Sequence, residues 1–262
     1  VIVPGKIDQI YQSSEKEFVF QVHVTGKGKH LLRIEAGKLA YLTTSKPLMI
    51  EPKSLCMQLR KYLDGAIISS ISQIDAQRIL KIELSDYKIY IELFSKGNII
   101  LCGSNNIILG LLEWQSWQSR NLKPKIEYKL PPMVINLFRI TKKEFFNILS
   151  NSKKDKLVTC LATEFGLGGI YAEEVCILAK IDKNSPPKPT DQLWDMFNSI
   201  LNMNPAGYIY EGGIMSPLKL SLPVVKEFST FSEVLDAYLS KSKIVQEKEA
   251  KELQYKKKID TL

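Results

Sequence analysis

A chain of 262 residues with 45% apolar and 24% charged side chains has the make-up of a globular protein with a sizeable core, enough for one large domain or two small ones. Its 36 basic residues outnumber 28 acidic ones, and the net charge of +8 favours an acidic partner such as nucleic acid or an anionic membrane surface. No apolar run approaches the roughly 20 residues of a membrane span and no signal peptide is visible, so the expected compartment is the cytoplasm.

From Gly5 to Leu112 the hydrophobic period is mostly two. FVFQVHV, HLLRIE, KLAYLT, RILKIEL, KIYIELF, NIILCG and IILGLL are rich in Ile, Val, Tyr and Phe and are broken by glycine-containing turns, which predicts strands in hairpins. TGKGKH, from Thr25 to His30, resembles a phosphate-cradling loop, but no helix follows it and a hairpin turn is expected. One helix interrupts the strands from about Pro52 to Leu63; Pro52 suits its first turn and Asp64-Gly65 its stop. Leu55, Leu59, Tyr62 and Leu63 form an apolar stripe on it, and Lys53, Met57, Arg60 and Lys61 share another side. Three cations on one side can neutralise phosphates, and an ordinary solvated face explains the same pattern.

After Tyr128-Lys-Leu-Pro-Pro132 the period becomes helical. Thr141 can cap KKEFFNIL; KDKLVTCLATEF, GIYAEEVCILAKI and TDQLWDMFNSIL follow, with the proline-rich NSPPKPT, Asn184 to Thr190, as a connector. GYIYEGGIMSPLKLSL returns to strand-like alternation. From Ser232 a long charged helix is expected, with Glu247–Lys251 and Glu252–Lys256 at i,i+4 spacing, as at the root of a longer coiled coil. The expected domains are a strand-rich one over 1–132, a helical one over 133–202, a strand-like patch and linker over 203–231, and the start of a coiled coil over 232–262.

Few side chains carry catalytic promise. His23 and His30 have no carboxylate or cysteine at ligand spacing, so a metal site or a histidine-based triad is not expected. Cys56, Cys102, Cys160 and Cys176 lie far apart without a C-x-x-C pair and read as buried thiols rather than disulfides or zinc ligands. Trp114 and Trp117 can stack on bases, although core or interface packing is the default. EFGLGGIYAEEVCILAKI reads as helix, glycine hairpin and second helix opening near Gly169. Gly166, Gly168 and Gly169 then either present backbone N–H groups to a phosphate or simply allow a tight turn.

Several segments together carry a resemblance. PGKIDQIYQ, HLLRIEAGKLAYLT, LCMQLRKYLDGAIISSISQ, IELFSKGNIILCG, YKLPP, LATEFGLGGIYAEEVC and FSTFSEVLDAYL follow in the order of motifs of the NFACT family, which includes NEMF-type and RqcH proteins and older fibronectin-binding relatives. The resemblance implies an α+β fold whose strand-rich N-terminal domain is like that of formamidopyrimidine-DNA glycosylases, followed by a helix-hairpin-helix domain. It implies a ribosome quality control factor that binds large ribosomal subunits obstructed by peptidyl-tRNA, contacts tRNA and rRNA, and uses no cofactor and no catalytic residue of its own, since the ribosome performs peptide transfer. The implied RNA-binding residues are Lys53, Arg60, Lys61, Gln73, Gln77, Arg78, Lys96 and Asn98, with the Gly166–Gly169 hairpin on a phosphate.

There are departures from the family pattern. The family commonly shows Q-x-x-x-D-R; here Gln73 and Arg78 fit the outer positions but Gln77 stands where Asp is usual. Asp75, on the same face if the segment is a strand, is a partial substitute. No counterpart of the family's early helix precedes Val1, so binding without efficient tail synthesis is expected. The other classes open to such a sequence are a DNA-repair glycosylase, disfavoured by the unpaired cysteines, and a surface adhesin, disfavoured by the lack of a signal peptide.

Overall fold

Residues 1–117, 120–132 and 135–239 are described by the computed structural model. The alternating segments become β1 (Gly5–Gln12), β2 (Glu17–Val24), β3 (Gly28–Glu35) and β4 (Leu39–Thr43), then, after the helix α1 (Ser54–Leu63), β5 (Ile67–Gln73), β6 (Ile79–Leu84), β7 (Tyr87–Glu92), β8 (Asn98–Gly103) and β9 (Ile108–Leu111). They form one nine-stranded sheet in the order β4-β3-β2-β1-β5-β6-β7-β8-β9, antiparallel throughout. TGKGKH is the β2–β3 turn, with Gly26 and Gly28 at positive φ.

The sheet is two meanders joined at a narrow seam. Between β1 and β5 the pairing consists of Gly5 with Ile68 and Lys6 with Ile67. Beyond that seam both halves bury side chains in one core: Phe18, Phe20 and Ile34 from the first half, Ile82, Ile89 and Leu101 from the second, joined by Leu55, Leu59 and Leu63 of α1. The halves also meet at their turns. The Gly37 N–H donates to the Glu92 carbonyl at 2.9 Å, and a Cβ on Gly97 would lie 1.9 Å from the Gly37 nitrogen. With Gly97 also at φ +71°, only glycine fits there. Alternate residues of the second half, Tyr90, Ile100 and Cys102, face a separate cluster with Ile108, Leu122 and Tyr128. Burial on both faces explains why NIILCG shows a continuous apolar run.

Two expectations about this region need correction. Helix α1 starts at Ser54 with Lys53 as its N-cap, so Pro52 lies outside it and not in its first turn. The residues between β5 and β6 are a turn, not strand: Asp75 sits at φ +47°, and it is therefore not a same-face strand neighbour of Gln77. A short ladder, β10 (Gln115–Ser116) with β11 (Asn121–Leu122), follows β9.

The chain divides into two compact units, Val1–Pro132 together with the chain from Ser232, and Met133–Phe231. Residues 231–239 are helical, and this helix is fastened to the outer strand β4. The Ser232 hydroxyl accepts the Leu42 N–H at 3.3 Å, and the Asp236 carboxylate accepts the Thr44 N–H at 3.0 Å, the Thr44 hydroxyl at 2.7 Å and the Thr43 hydroxyl. Of the coiled coil expected over 232–262, residues 240–262 with the Glu–Lys pairs lie outside the described residues.

The second unit holds α2 (Lys142–Asn151), α3 (Leu157–Thr163), α4 (Gly169–Leu178) and α5 (Asp191–Leu201) around Phe145, Leu161, Phe165, Val175 and Phe197. Thr141 caps α2 in a reciprocal box with Glu144, whose carboxyl is held below its ordinary range by the Thr141 backbone and hydroxyl bonds; Thr190 caps α5. The strands β12 (Gly207–Tyr210), β13 (Met215–Ser216) and β14 (Val224–Phe228) form a small sheet. They lie in the region 203–231, where strand-like alternation was expected. Tyr208, Tyr210 and Leu220 pack with Tyr171 of α4, and the buried Glu174 carboxylate takes the Ser221 N–H at 2.9 Å and its hydroxyl at 2.7 Å. An unpaired buried carboxylate is costly, so that pair fastens the patch to the helices.

Candidate nucleic-acid interface

The three cations of α1 have three different surroundings. Lys53 is exposed and its Nζ meets Glu15 at 2.5 Å, which holds the Glu15 carboxyl below its usual range through the hydrogen bond first and charge second. Arg60 is half-buried and donates through Nε to the Ile10 carbonyl of β1 at 2.7 Å. The Arg60 side chain also lines a cleft of about 400 Å³ with Asp8, Gln9, Tyr11 and Asp64. Lys61 is exposed, with its ammonium 5.5 Å from the Tyr62 ring centre. The apolar stripe is as expected, except that Cys56 joins it and Tyr62 is half-buried.

Nearness in sequence does not bring Arg60 and Arg78 together. Strands β1 and β5 run antiparallel, so Ile10, which holds Arg60, and Gln73, which precedes the Arg78 turn, lie on opposite sides of the Lys6–Ile67 pair. Six residues of strand from Ile67 to Gln73 alone span about 20 Å. The α1 cations and the Gln73–Arg78 turn are two separate sites.

At the second site Gln73 and Arg78 are exposed and Gln77 is half-buried. Gln73 Nε2 donates to the Gln77 carbonyl at 2.8 Å, and Gln77 Nε2 donates to the Pro131 carbonyl at 3.1 Å. The Arg78 carbonyl accepts the Leu93 N–H at 2.8 Å, whereas its guanidinium has no ion pair or hydrogen bond among the described residues. Next to Leu93, the buried Glu92 carboxylate takes a two-pronged bond from Arg120 at 2.6 and 2.9 Å and the Tyr128 hydroxyl at 3.0 Å. Burial first, and Glu92 second, push the Tyr128 hydroxyl well above its ordinary pKa. Arg120 also donates to the Lys129 carbonyl at 3.3 Å, so the chain leading to Pro131 is tied down on both sides of the turn. Sequence reading missed this network, because partners 28 and 36 residues apart leave no local pattern.

Lys96 and Asn98 part company. Lys96 is exposed, and its carbonyl accepts Lys16 Nζ at 2.9 Å. Asn98 is fully buried: its Nδ2 donates to the Glu113 carbonyl at 2.8 Å and its Oδ1 accepts the N–H groups of Ile99, Leu112 and Glu113. It has no face left for RNA and is a structural residue.

The glycine hairpin also differs in detail from the expectation. Gly166 and Gly168 have φ near +75°, and the N–H groups of Leu167 and Gly168 are used on the Leu161 and Ala162 carbonyls at 3.3 and 3.2 Å. The donors left over belong to α4. Its first inward bond comes from Ala172, no side chain caps its N-terminus, and the N–H groups of Gly169, Ile170 and Tyr171 precede that bond. Nothing lies within 4 Å of a Cβ built on Gly166, Gly168 or Gly169, so this end of the helix is open. Four isolated buried cysteines, no cluster of three metal-ligating side chains and no helix long and apolar enough to cross a membrane are found among the described residues.

A mixed α/β chain with a large antiparallel sheet, a positive charge and two exposed cationic sites thus defines the class. The family model of NFACT N-terminal and middle domains matches residues 1–261, and the chain belongs to that family. It is 29% identical to the archaeal Rqc2 homolog aRqcH of Methanocaldococcus jannaschii, over 97% of this chain and 42% of that protein, and 27% identical to the Rqc2 homolog RqcH of Streptococcus pneumoniae, over 90% and 44%. Among solved structures it is similar to the N-terminal part of the fibronectin/fibrinogen-binding protein of Streptococcus suis, with 25% identity, a TM-score of 0.75 and 91% and 92% of the two chains covered. The curated relatives carry names of ribosome quality control factors, and this chain spans less than half the length of the two just given.

Proposed function

We propose that this chain is the RNA-gripping part of a ribosome quality control factor that binds large ribosomal subunits obstructed by peptidyl-tRNA and contacts the tRNA. The observation that carries the reading is Arg78: an exposed guanidinium without a partner among the described residues, on a turn held by the Gln73–Gln77 and Gln77–Pro131 bonds. A planar fork of donors on a fixed mount suits a phosphate or a base edge, and no side chain among the described residues competes for it. Lys61 and the open N-terminus of α4 are further phosphate contacts in this reading. Peptide transfer belongs to the ribosome, so the protein supplies position and charge rather than a nucleophile. Gln77 lacks the carboxylate usual at its position, and we expect binding without efficient tail synthesis.

The test is co-sedimentation with purified large subunits carrying peptidyl-tRNA, beside empty subunits, fibronectin and damaged duplex DNA. Preference for the obstructed subunit supports the reading. Equal or better retention on fibronectin, the ligand named for the Streptococcus suis relative, replaces it with adhesion. Preference for damaged DNA replaces it with the repair class.

A further inference from the structure

We propose that Trp114 is a stacking platform for an unpaired RNA base; the proposal rests on the reading of the chain as RNA-binding. The indole is 74% exposed, although a tryptophan in a structured segment ordinarily hides most of its rings. It stands between two clefts. One, of about 500 Å³, is lined by Lys16, Lys53 and Gln58; the other, of about 390 Å³, by Ser116, Asn121 and Lys123.

The composition of these walls selects the occupant. Among the described residues, Trp114 is the one large exposed apolar side chain that lines either cleft. An apolar peptide segment needs several such anchors side by side. A nucleobase needs a single π face, with amides, hydroxyls and cations around its edge and backbone, which is what Gln58, Ser116, Asn121 and Lys123 provide. Lys16 and Lys53 meet Glu113 and Glu15 at 3.0 and 2.5 Å, but exposed pairs of this kind are weak and can exchange a carboxylate for a phosphate. Lys123 is exposed and makes no ion pair among the described residues.

The mount is rigid, and it lies at the Arg78 end of the sheet. Asn98 holds the Glu113 carbonyl and N–H, fixing the residue before Trp114, and Arg120, locked on Glu92, sits 4.8 Å from the Trp117 ring centre in the same hairpin. Glu92 pairs with Ile79 on one side and with Asn98 on the other. Two strand spacings, about 10 Å, therefore separate the strand that begins after Arg78 from the one that positions Trp114. A single RNA strand passing Arg78 comes within reach of the indole.

The experiment measures the affinity of the 262-residue chain for a labelled single-stranded oligouridylate and for a blunt RNA duplex. Trp114→Ala is expected to weaken single-strand binding roughly five- to hundredfold, Trp114→Phe to restore most of it, and duplex affinity to stay unchanged, because a paired base offers no free face. The exposed side chain can be removed without unfolding, which an unchanged thermal melt verifies. Equal single-strand affinity of Trp114→Ala and the parent overturns the stacking proposal and leaves RNA binding standing. If the parent binds neither RNA, the underlying reading falls instead. A benzophenone side chain at position 114, photolysed on purified large subunits, should crosslink to RNA; crosslinking only to a ribosomal protein makes this a protein-docking residue and overturns the proposal.

Discussion

Gln77 spans from the β5–β6 turn to the main-chain oxygen of Pro131, 3.1 Å away, and thereby joins the two segments that frame Arg78. A carboxylate at this position could not make that bond, since it has no hydrogen to donate and would face another acceptor. Gln77→Asp is therefore expected to lower stability by about 1–2 kcal/mol, read as a lower urea midpoint at unchanged slope. It should raise tailing only to the extent that the weakened turn still holds Arg78. Unaltered stability would mean that the Gln77–Pro131 bond contributes nothing in solution.

Arg78→Ala should behave in the opposite way. Stability should change by less than about 0.5 kcal/mol, because the side chain is exposed and has no ion pair or hydrogen bond among the described residues, while recruitment of tRNA to the large subunit falls. Undiminished recruitment would show that the family's tRNA-facing arginine has no counterpart at this position.

On α1 the clean probe is Lys61→Ala rather than a double substitution, since Arg60 also supports β1 through the Ile10 carbonyl. Loss of Lys61 should weaken RNA binding independently of sequence and flatten the dependence of log K on log salt by about one unit. Arg60→Ala should add a stability loss of about 1 kcal/mol. A slope that does not move makes the face an ordinary solvated one.

The glycine hairpin can be tested without straining it. Ile170 is 40% exposed in the first turn of α4. Ile170→Glu places a carboxylate at the positive helix end, which should raise the melting temperature slightly, by roughly 0.3–1 kcal/mol of stabilisation, while RNA affinity drops severalfold. Gly168→Ala is a poorer test than its sequence suggests, because φ +75° and ψ 167° make it strained whatever it binds. Higher stability with unchanged RNA affinity assigns the glycines to packing alone.

The thiols set a pH limit. Burial pushes Cys102 up to about 12 and Cys160 and Cys176 up to about 11, so the folded protein keeps protons that the unfolded chain releases near pH 8.5. Stability is then complete below about pH 8.5 and is lost as the pH rises towards the folded values. Urea melts should show this decline, and a thiol-alkylating reagent should leave the native protein unlabelled near pH 7. Rapid labelling of the folded chain, or a flat profile, contradicts it.

What was legible in the sequence was whatever neighbouring residues decide. Alternation in FVFQVHV and KIYIELF marked strands, Thr141 and Glu144 marked the start of α2, and paired glycines marked the α3–α4 turn. What failed depended on distant parts of the chain. Asn98 looks like a surface polar residue until the Leu112–Glu113 backbone closes over it, and Trp114 follows a buried strand yet emerges into solvent. The separation of Arg60 and Arg78 is set by the direction in which β5 pairs with β1, which no local pattern reveals. Of the site, the residue types could be read off, but not which of them share a surface.

The clasp between Asp236 and Thr44 spans 192 residues of chain. During synthesis, β4 emerges from the ribosome long before the helix that covers its edge. At about 5–20 residues per second, that strand stays bare for roughly 10–40 s while the intervening unit is made. An open edge is a template for wrong pairing with any extended chain nearby. Closure of the first unit therefore waits for Asp236, and a chain interrupted before that residue is released with the edge of β4 uncovered.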